Sequence, residues 1–236
     1  MSAALGQPRL HYVTIGSTNA RAQELAAAGA PHGTLVTGGE QTAGRGRQGR
    51  AWTTPAGTAL AASLVLRQPP PLLTLTAGLA VAEVAAALDS AGREPAIKWP
   101  NDVLLDGRKV CGILAEGRLQ EGWAVLGIGI NVAIAQDDFP PELADRATSL
   151  GLAPHDVERA LALLLTSLER WLTAPTPELV EGFRQRDALL DREIAWDGGS
   201  GTAAGIADDG RLRVRATDGS ERLLDAGEVH LSAPPR

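Results

Sequence analysis

The sequence predicts an α+β protein: a mixed, largely antiparallel sheet with flanking helices, followed by a small C-terminal β-barrel. Three observations predict this. Short apolar runs of strand length crowd residues 97–132, two of them joined by the turn Asp106-Gly107-Arg108. The apolar run 72–91 has the length of a buried helix. After Asp191, short apolar segments alternate with Asp-Gly turns, which is typical of an antiparallel unit of roughly 45 residues.

Helix and strand signals follow one another along the chain. Ser17 precedes an Ala-rich run that ends at Gly29, the pattern of a capped helix. Asp156 and Pro177 begin two later helices, through Leu172 and about Leu190. We expect a catalytic domain over 1–188, a C-terminal domain over 189–236 and a long loop over 38–55. The predicted strands are 10–15, 34–37, 60–66, 97–99, 103–105, 109–116 and 123–132.

Composition excludes several classes of protein. Among 236 residues, 28 are acidic and 22 basic, a net charge of −6, and this disfavours a general DNA or RNA binder. A single cysteine, Cys111, excludes an intramolecular disulfide, and the four histidines are not spaced as local metal ligands. No secretion signal is visible, and run 72–88 is too short and polar to span a bilayer comfortably. We therefore expect a cytoplasmic protein with no membrane partner.

One basic loop stands out in this acidic chain. Gly44-Arg45-Gly46-Arg47-Gln48-Gly49-Arg50 has three arginines and three glycines in seven residues. It spells G-x-G-x-x-G, but a strand rather than a helix is predicted next, so it is a weak dinucleotide fingerprint. Glycines let a backbone approach a ligand closely, and guanidinium groups pair with carboxylate and phosphate. The loop is therefore either an anion site or a solvated basic turn.

Polar residues also interrupt the apolar strands. Lys98-Trp99-Pro100-Asn101-Asp102 ends a strand with side chains that suit a ligand, a metal ion or a rigid turn. Lys109 opens the next long strand, either as a snorkelling edge residue or as a carboxylate ligand. Two glycines in Gly127-Ile128-Gly129-Ile130-Asn131 weaken a strand unless something must pack close to its backbone.

Taken in order, these strings closely resemble the biotin–protein ligase family over nearly the whole chain. Ser17-Thr18-Asn19 is similar to that family's first biotin loop, and the segment from Gln41 to Trp52 to its adenylate-binding loop. The resemblance implies a class II synthetase-like catalytic domain and an SH3-like C-terminal domain. Because the first strand begins near Leu10, we expect the monofunctional form, without the DNA-binding helix-turn-helix of regulatory members. The remaining matches are Lys98 to Asp102, Lys109, Gly112 to Glu116, and Gly127 to Asn131.

The resemblance implies that ATP with Mg²⁺ activates biotin as biotinyl-5′-AMP, and that a lysine of the biotin carboxyl carrier protein of acetyl-CoA carboxylase then takes the biotinyl group. Fixed positive charge would let the biotin carboxylate meet the α-phosphate. No motif holds a metal; Mg²⁺ is expected with the nucleotide. By resemblance, biotin is assigned to Ser17, Thr18, Asn19, Gln41, Arg45, Gly46, Arg47 and Lys109, the nucleotide to Arg50, Trp52, Asn101, Asp102 and Asn131, and catalysis to Lys98, Lys109, Arg47 and Asp102.

Two other functions stay open at this point: a lipoate or octanoate ligase of similar fold, and a non-catalytic anion-binding module. The Arg-Gly loop together with the Trp-Pro-Asn-Asp string favours biotin. We also hypothesise that Asp102 orients the acceptor lysine and takes its proton, and that the adenylate orders a loop from about Gln41 to Trp52 that is mobile when empty. Homodimers form through a sheet edge in the family, and the residues do not decide whether this chain forms one.

Overall fold

The computed structural model describes residues 4–225 and 229–231. A seven-stranded sheet in the order β1-β2-β3-β7-β6-β5-β4 dominates it. Strands β1 and β2 run parallel, and every other neighbouring pair is antiparallel. The predicted fold class is confirmed. The strands are β1 (Arg9–Ile15), β2 (Leu35–Gln41), β3 (Ala59–Arg67), β4 (Pro95–Lys98), β5 (Asp102–Leu105), β6 (Arg108–Arg118) and β7 (Trp123–Asn131).

Among the described residues, four α-helices flank this sheet: α1 (Thr18–Ala27), α2 (Leu73–Leu88), α3 (Val157–Trp171) and α4 (Thr176–Arg184). The side chain of Ser17 accepts a hydrogen bond from the N–H of Ala20, so the predicted cap begins α1. Helix α2 is buried almost all round, because it packs on α3, α4 and the strands β4 to β6. None of the helices described is both long and apolar enough to cross a membrane.

A second, five-stranded antiparallel sheet lies at the C-terminal end of the chain, in the order β11-β10-β9-β8-β12. It docks on the first sheet. Its buried residues Ile206 and Val214 belong to the same apolar core as Leu79 of α2, and the indole N–H of Trp99 donates to the Gly210 carbonyl at 3.1 Å. The boundary expected near residue 188 stays a prediction. The strands are β8 (Glu193–Trp196), β9 (Gly199–Ile206), β10 (Leu212–Ala216), β11 (Glu221–Leu224) and β12 (Val229–Leu231).

Two elements differ from the sequence prediction. Strand β2 extends to Gln41 rather than ending at Thr37, because its later residues pair with β1. Helix α4 ends at Arg184 instead of about Leu190. The backbone beyond it pairs with the sheet edge: the Ile97 N–H donates to the carbonyl of Arg186 at 2.7 Å, and the Ala188 N–H to that of Ile97 at 3.0 Å. The N–H and carbonyl of Ile97 on the edge strand β4 thus find their hydrogen-bond partners in an extended segment. Because these residues are extended, the helix ends before them.

Candidate active site

A cavity of 710 Å³ lies over the middle of the seven-stranded sheet, where β3, β6 and β7 meet the loop after β2. All fourteen residues predicted from the sequence line it, which brings together segments far apart in the chain. Their individual roles stay predictions. The fourteen are Ser17, Thr18, Asn19, Gln41, Arg45, Gly46, Arg47, Arg50, Trp52, Lys98, Asn101, Asp102, Lys109 and Asn131.

Amide and hydroxyl groups form a connected network on one wall of the cavity. The backbone N–H and the hydroxyl of Thr18 both donate to Oε1 of Gln41, at 2.9 and 3.1 Å. The hydroxyl of Ser63 lies 2.9 Å from Oγ1 of Thr18 and 2.8 Å from Oδ1 of Asn19, and its single proton serves one of them at a time. These neutral groups can rearrange to bind a polar, uncharged ligand.

Glu116 fixes the orientation of the Asn19 amide. Nδ2 of Asn19 donates to Oε2 of Glu116 at 2.9 Å, and Nε2 of Gln23 donates to the same oxygen at 2.9 Å. The Asn19 amide therefore turns its carbonyl toward Ser63. Gly127 is required beside it, since a Cβ there would lie 2.1 Å from Oδ1 of Asn19. The glycine singled out in the sequence thus leaves room for an ordered amide.

The basic loop is anchored at both ends of its arginine-rich segment. The Gly46 N–H donates to the carbonyl of Arg50 at 2.7 Å, and the Trp52 N–H to that of Gly44 at 2.9 Å. Nη1 of Arg47 donates to Oδ1 of Asn101 at 3.1 Å, which ties the loop to the turn after β4. Burial lowers the pKa of Arg47, which the Asp102 charge opposes. The guanidinium stays charged and faces the cavity.

Lys109 lies between Asp102 and Trp52. Its Nζ is 2.6 Å from Oδ1 of Asp102 and 5.7 Å from the centroid of the Trp52 ring. The indole covers the paired glycines Gly112 and Gly129, where a Cβ would lie 3.1 and 2.6 Å from ring atoms. The buried indole N–H of Trp52 has no hydrogen-bond partner among the residues described. A flat aromatic surface and a spare donor thus lie beside a cation.

The chain has only two lysines, Lys98 and Lys109, against 20 arginines, and both lysines line the cavity. Burial lowers the pKa of Lys98 below its ordinary value; the charge of Asp102 opposes this, and those of Lys109, Arg146 and Arg50 add to it. Unlike arginine, lysine offers a compact point charge. Because burial lowers the effective dielectric constant around Lys98, its charge interacts more strongly with neighbouring charges than it would in water.

Four residues of the cavity and its surroundings were missed by sequence reasoning: Ser63, Glu116 as the holder of Asn19, Arg146 and His230. Ser63 is one polar residue in the buried run of β3, and that break in the apolar pattern was its only signal. Arg146 and His230 carry no local signal. Within the described ranges, no three His, Cys, Asp or Glu side chains group as metal ligands.

This fold and site define a protein with one cavity in which a neutral hydrogen-bonding network lies beside a group of basic side chains. The chain belongs to the biotin/lipoate A/B protein ligase family, whose model matches residues 11–132. Residues 192–232 match the biotin protein ligase C terminal domain. The resemblance predicted from the sequence is therefore confirmed, and within the family it points to the biotin branch.

Individual relatives agree with this placement. The bifunctional ligase/repressor BirA of Bacillus spizizenii is 38% identical over 241 residues, covering 94% of this chain and 74% of the relative. The biotin–[acetyl-CoA-carboxylase] ligase of Mycobacterium tuberculosis is 37% identical over 231 residues, covering 91% of this chain and 85% of the relative. Among solved structures, the biotin protein ligase from Aquifex aeolicus in complex with biotin and ATP is similar with a TM-score of 0.79 and 26% identity, over 97% of this chain and all of that one.

Proposed function

We propose that this chain is a biotin–[acetyl-CoA-carboxylase] ligase. It joins biotin to AMP as biotinyl-5′-AMP, releasing pyrophosphate, and passes the biotinyl group to a lysine of the biotin carboxyl carrier protein. The family membership and the names of its relatives support this activity. The complex of the Aquifex aeolicus protein with biotin and ATP supports the two small substrates.

The observation that carries the proposal is the pairing of two kinds of group in one cavity. The neutral network of Thr18, Asn19, Gln41 and Ser63 suits the ureido ring of biotin, which both donates and accepts hydrogen bonds. The cavity also has six Lys and Arg side chains against two carboxylates among its described residues. An octanoyl or lipoyl chain has no ureido head, so the network favours biotin over those acids.

In the first step, a biotin carboxylate oxygen attacks the α-phosphorus of Mg·ATP and pyrophosphate leaves. Both reactants are anions, and fixed cations that need no rearrangement stabilise the added charge. Arg47 and Lys109 are assigned to this junction, because Lys109 lies beside Asp102 and Arg47 is held by Asn101. Trp52 is assigned to stack on the adenine, with Arg50, Asn101, Asp102 and Asn131 beside the nucleotide.

In the second step, the amine of the carrier lysine attacks the carbonyl of the mixed anhydride, AMP leaves, and the amine loses a proton. Such an amine has a pKa near ~10.4 and needs a group that accepts its proton. Asp102 is assigned this role. No covalent bond to the enzyme forms in either step.

The test is to incubate the purified chain with biotin and Mg·ATP, and to weigh the bound product by mass spectrometry. Biotinyl-5′-AMP is expected, with biotin-dependent exchange between ATP and pyrophosphate. Lipoate and octanoate are the matched substrates for the alternative. A carrier domain should gain one biotinyl mass, and the same domain with its acceptor lysine changed to arginine should gain none. Exchange with lipoate but not with biotin would overturn the proposal.

A further inference from the structure

Glu116 of β6 lies next to Asn19 but does not line the 710 Å³ cavity. Asn19 and Gln23 are four residues apart on α1, and therefore lie on one face of that helix. Both donate to the same carboxylate oxygen, Oε2 of Glu116, at 2.9 Å each. The proposed chemistry gives Glu116 and Gln23 no role, although they are joined to a residue assigned to biotin.

The carboxylate allows the Asn19 amide only one orientation. A carboxylate accepts hydrogen bonds and donates none, so the nitrogen of Asn19 must face Glu116 and its oxygen must face Ser63. The carbonyl of Leu114, 3.5 Å from the same nitrogen, favours this orientation weakly. The reversed amide would bring two acceptor oxygens together with no proton between them, so Glu116 opposes the reversal.

The hydroxyl protons beside Asn19 are used within the same wall of the cavity. Thr18 donates its hydroxyl proton to Oε1 of Gln41 at 3.1 Å. Ser63 donates its proton either to Oδ1 of Asn19 or to Oγ1 of Thr18, at 2.8 and 2.9 Å. In the first case Oγ of Ser63 can still accept a hydrogen bond, and in the second case Oδ1 of Asn19 can. This part of the wall therefore presents an acceptor in both arrangements.

Burial makes this acceptor selective. Asn19 and Ser63 are 4% and 0% exposed, so water does not readily replace a donor that a ligand fails to supply. A buried acceptor without a donor costs free energy, and a second acceptor placed against it adds repulsion. A ligand atom at this position is therefore favoured only if it carries a proton to donate.

Building on the proposed function, we propose that Glu116 is a positioning residue that determines specificity. By fixing the Asn19 amide, it makes this wall accept hydrogen bonds, and the cavity then selects a ring that presents an N–H there, as the ureido ring of biotin does. Gln23 holds the carboxylate in place by donating to the oxygen that Asn19 uses. Glu116 acts through Asn19 and not by contact with the ligand.

Two close analogues of biotin test this selection. In each, one of the two ureido N–H groups is replaced by a ring oxygen, which gives a cyclic carbamate of nearly the same size. The analogue whose ring oxygen meets Asn19 and Ser63 brings an acceptor against an acceptor. The chain should bind it about 100-fold more weakly than biotin, since a hydrogen bond is lost and a buried acceptor is left unpaired. The other analogue is the control for the change of ring.

The experiment measures the Kd for biotin and for both carbamates by calorimetry, on the full chain and on two variants of Glu116. Glu116→Met keeps the length of the side chain but removes the strong acceptor, so the Asn19 amide can reverse. Discrimination between biotin and the disfavoured carbamate should then fall from about 100-fold to about tenfold or less. Glu116→Gln still offers an oxygen to the donors of Asn19 and Gln23, and its discrimination should stay within about twofold of the wild type. Glu142→Met, at an exposed glutamate, is the matched control.

A second measurement follows the amide in the absence of any ligand. The side-chain NH₂ signal of Asn19 in a nitrogen-15 NMR spectrum is identified by its loss in Asn19→Asp. This signal should move much further in Glu116→Met than in Glu116→Gln, because only the methionine variant loses the acceptor. Glu142→Met should leave it in place.

The inference is wrong if Glu116→Met keeps the wild-type discrimination, whether its affinities stay unchanged or fall in parallel for all three ligands, because Glu116 would then only support the fold. It is also wrong if Glu116→Gln loses as much discrimination as Glu116→Met. The proposed function fails separately. A wild-type chain that selects biotin over the carbamate in this way but makes no biotinyl-5′-AMP would keep the role of Glu116 and lose the ligase assignment.

Discussion

Lys109 and Asp102 form an ion pair across neighbouring strands of the sheet, with 2.6 Å between Nζ and Oδ1. The pairing of β5 with β6 sets this distance. Asp102 lies opposite Gly112, three residues after Lys109, and the side chains of Asp102 and Lys109 both line the cavity. In the proposed reaction, an arriving carboxylate or phosphate would compete with Asp102 for the ammonium group. Asp102 would then be available to a second cation, such as the acceptor amine of the proposed second step.

Changing Asp102 to Asn separates the two steps. The amide keeps the size of the side chain but cannot accept the proton of the carrier lysine. We expect transfer from preformed biotinyl-5′-AMP to fall about 100-fold, the usual contribution of a general base, and adenylate formation to fall only a few-fold. Single-turnover rates of each step measure this. Asp145→Asn, at an exposed carboxylate of the same cavity, is the control. Equal losses in both steps would leave Asp102 a nucleotide ligand only.

Much of the site could be predicted from the sequence because its residues form short, unusual strings. The loop around Arg47 and the string ending at Asp102 each concentrate polar residues where a core pattern predicts apolar ones. Ser63 could not be assigned a role, since a lone serine in a buried strand gains its meaning from Asn19, 44 positions away. His230 reaches the cavity only through the docking of the second sheet, which no local pattern encodes.

The ends of secondary-structure elements were also hard to predict from local sequence patterns. The apolar pattern after Pro177 continues to Leu190, but tertiary pairing with Ile97 ends α4 earlier. Local propensity is a weak prior where a sheet edge offers backbone partners. The extension of β2 to Gln41 has the same origin, because parallel pairing with β1 extends it past the β-branched residues.

Gly129→Ala should weaken nucleotide binding without unfolding the chain. The new Cβ would lie 2.6 Å from the indole of Trp52. We expect the indole to shift rather than the backbone, because β7 is paired with β3 on one side and β6 on the other. Base stacking on an aromatic ring contributes about 1–3 kcal/mol, so the KM for ATP should rise about tenfold or more. Gly16→Ala is the control, since its Cβ would meet nothing within 4 Å. An unchanged KM for ATP would show that Trp52 does not stack on the base.

Trypsin should cut the basic loop more slowly once the adenylate is bound. Arg45, Arg47 and Arg50 are three cleavage sites in one exposed or half-exposed segment. A bound anion would neutralise their repulsion and order the backbone around them. Limited proteolysis with and without biotinyl-5′-AMP, followed by mass mapping, measures the change. Cleavage at Arg222, on the second sheet, serves as the internal control. Equal rates with and without the adenylate would contradict ordering of the loop.

The chain should acylate itself very little. The chain has two lysines, of which Lys109 is paired as an ammonium group with Asp102, and all other basic side chains apart from histidine are arginines, which do not lose a proton near neutral pH. Replacing the exposed Arg159 with Lys should therefore create an acceptor for released biotinyl-5′-AMP. Intact mass after prolonged incubation with biotin and Mg·ATP measures the added biotinyl groups. Equal labelling of the wild type and the variant would show that the placement of lysine offers no protection.

Lys98→Met should stabilise the fold while nearly abolishing adenylate formation. Burial and the neighbouring cations lower the pKa of Lys98 below 10.5, so its charge costs free energy when the chain folds at neutral pH. Removing that charge should raise the free energy of unfolding by about 1 kcal/mol, a gain typical of sites that trade stability for activity.

The pH dependence tests the cause of that gain. Between the lowered pKa of Lys98 and 10.5, the unfolded chain binds more protons than the folded one, so wild-type stability contributed by this group rises with pH. The advantage of Lys98→Met is therefore full at neutral pH and shrinks as the pH approaches 10.5. Urea unfolding at a series of pH values measures both. Arg159→Met, at an exposed cation, should show no such trend. If Lys98→Met lowered stability at neutral pH, the lysine would be held by favourable contacts, and its charge could not be a cost kept for catalysis.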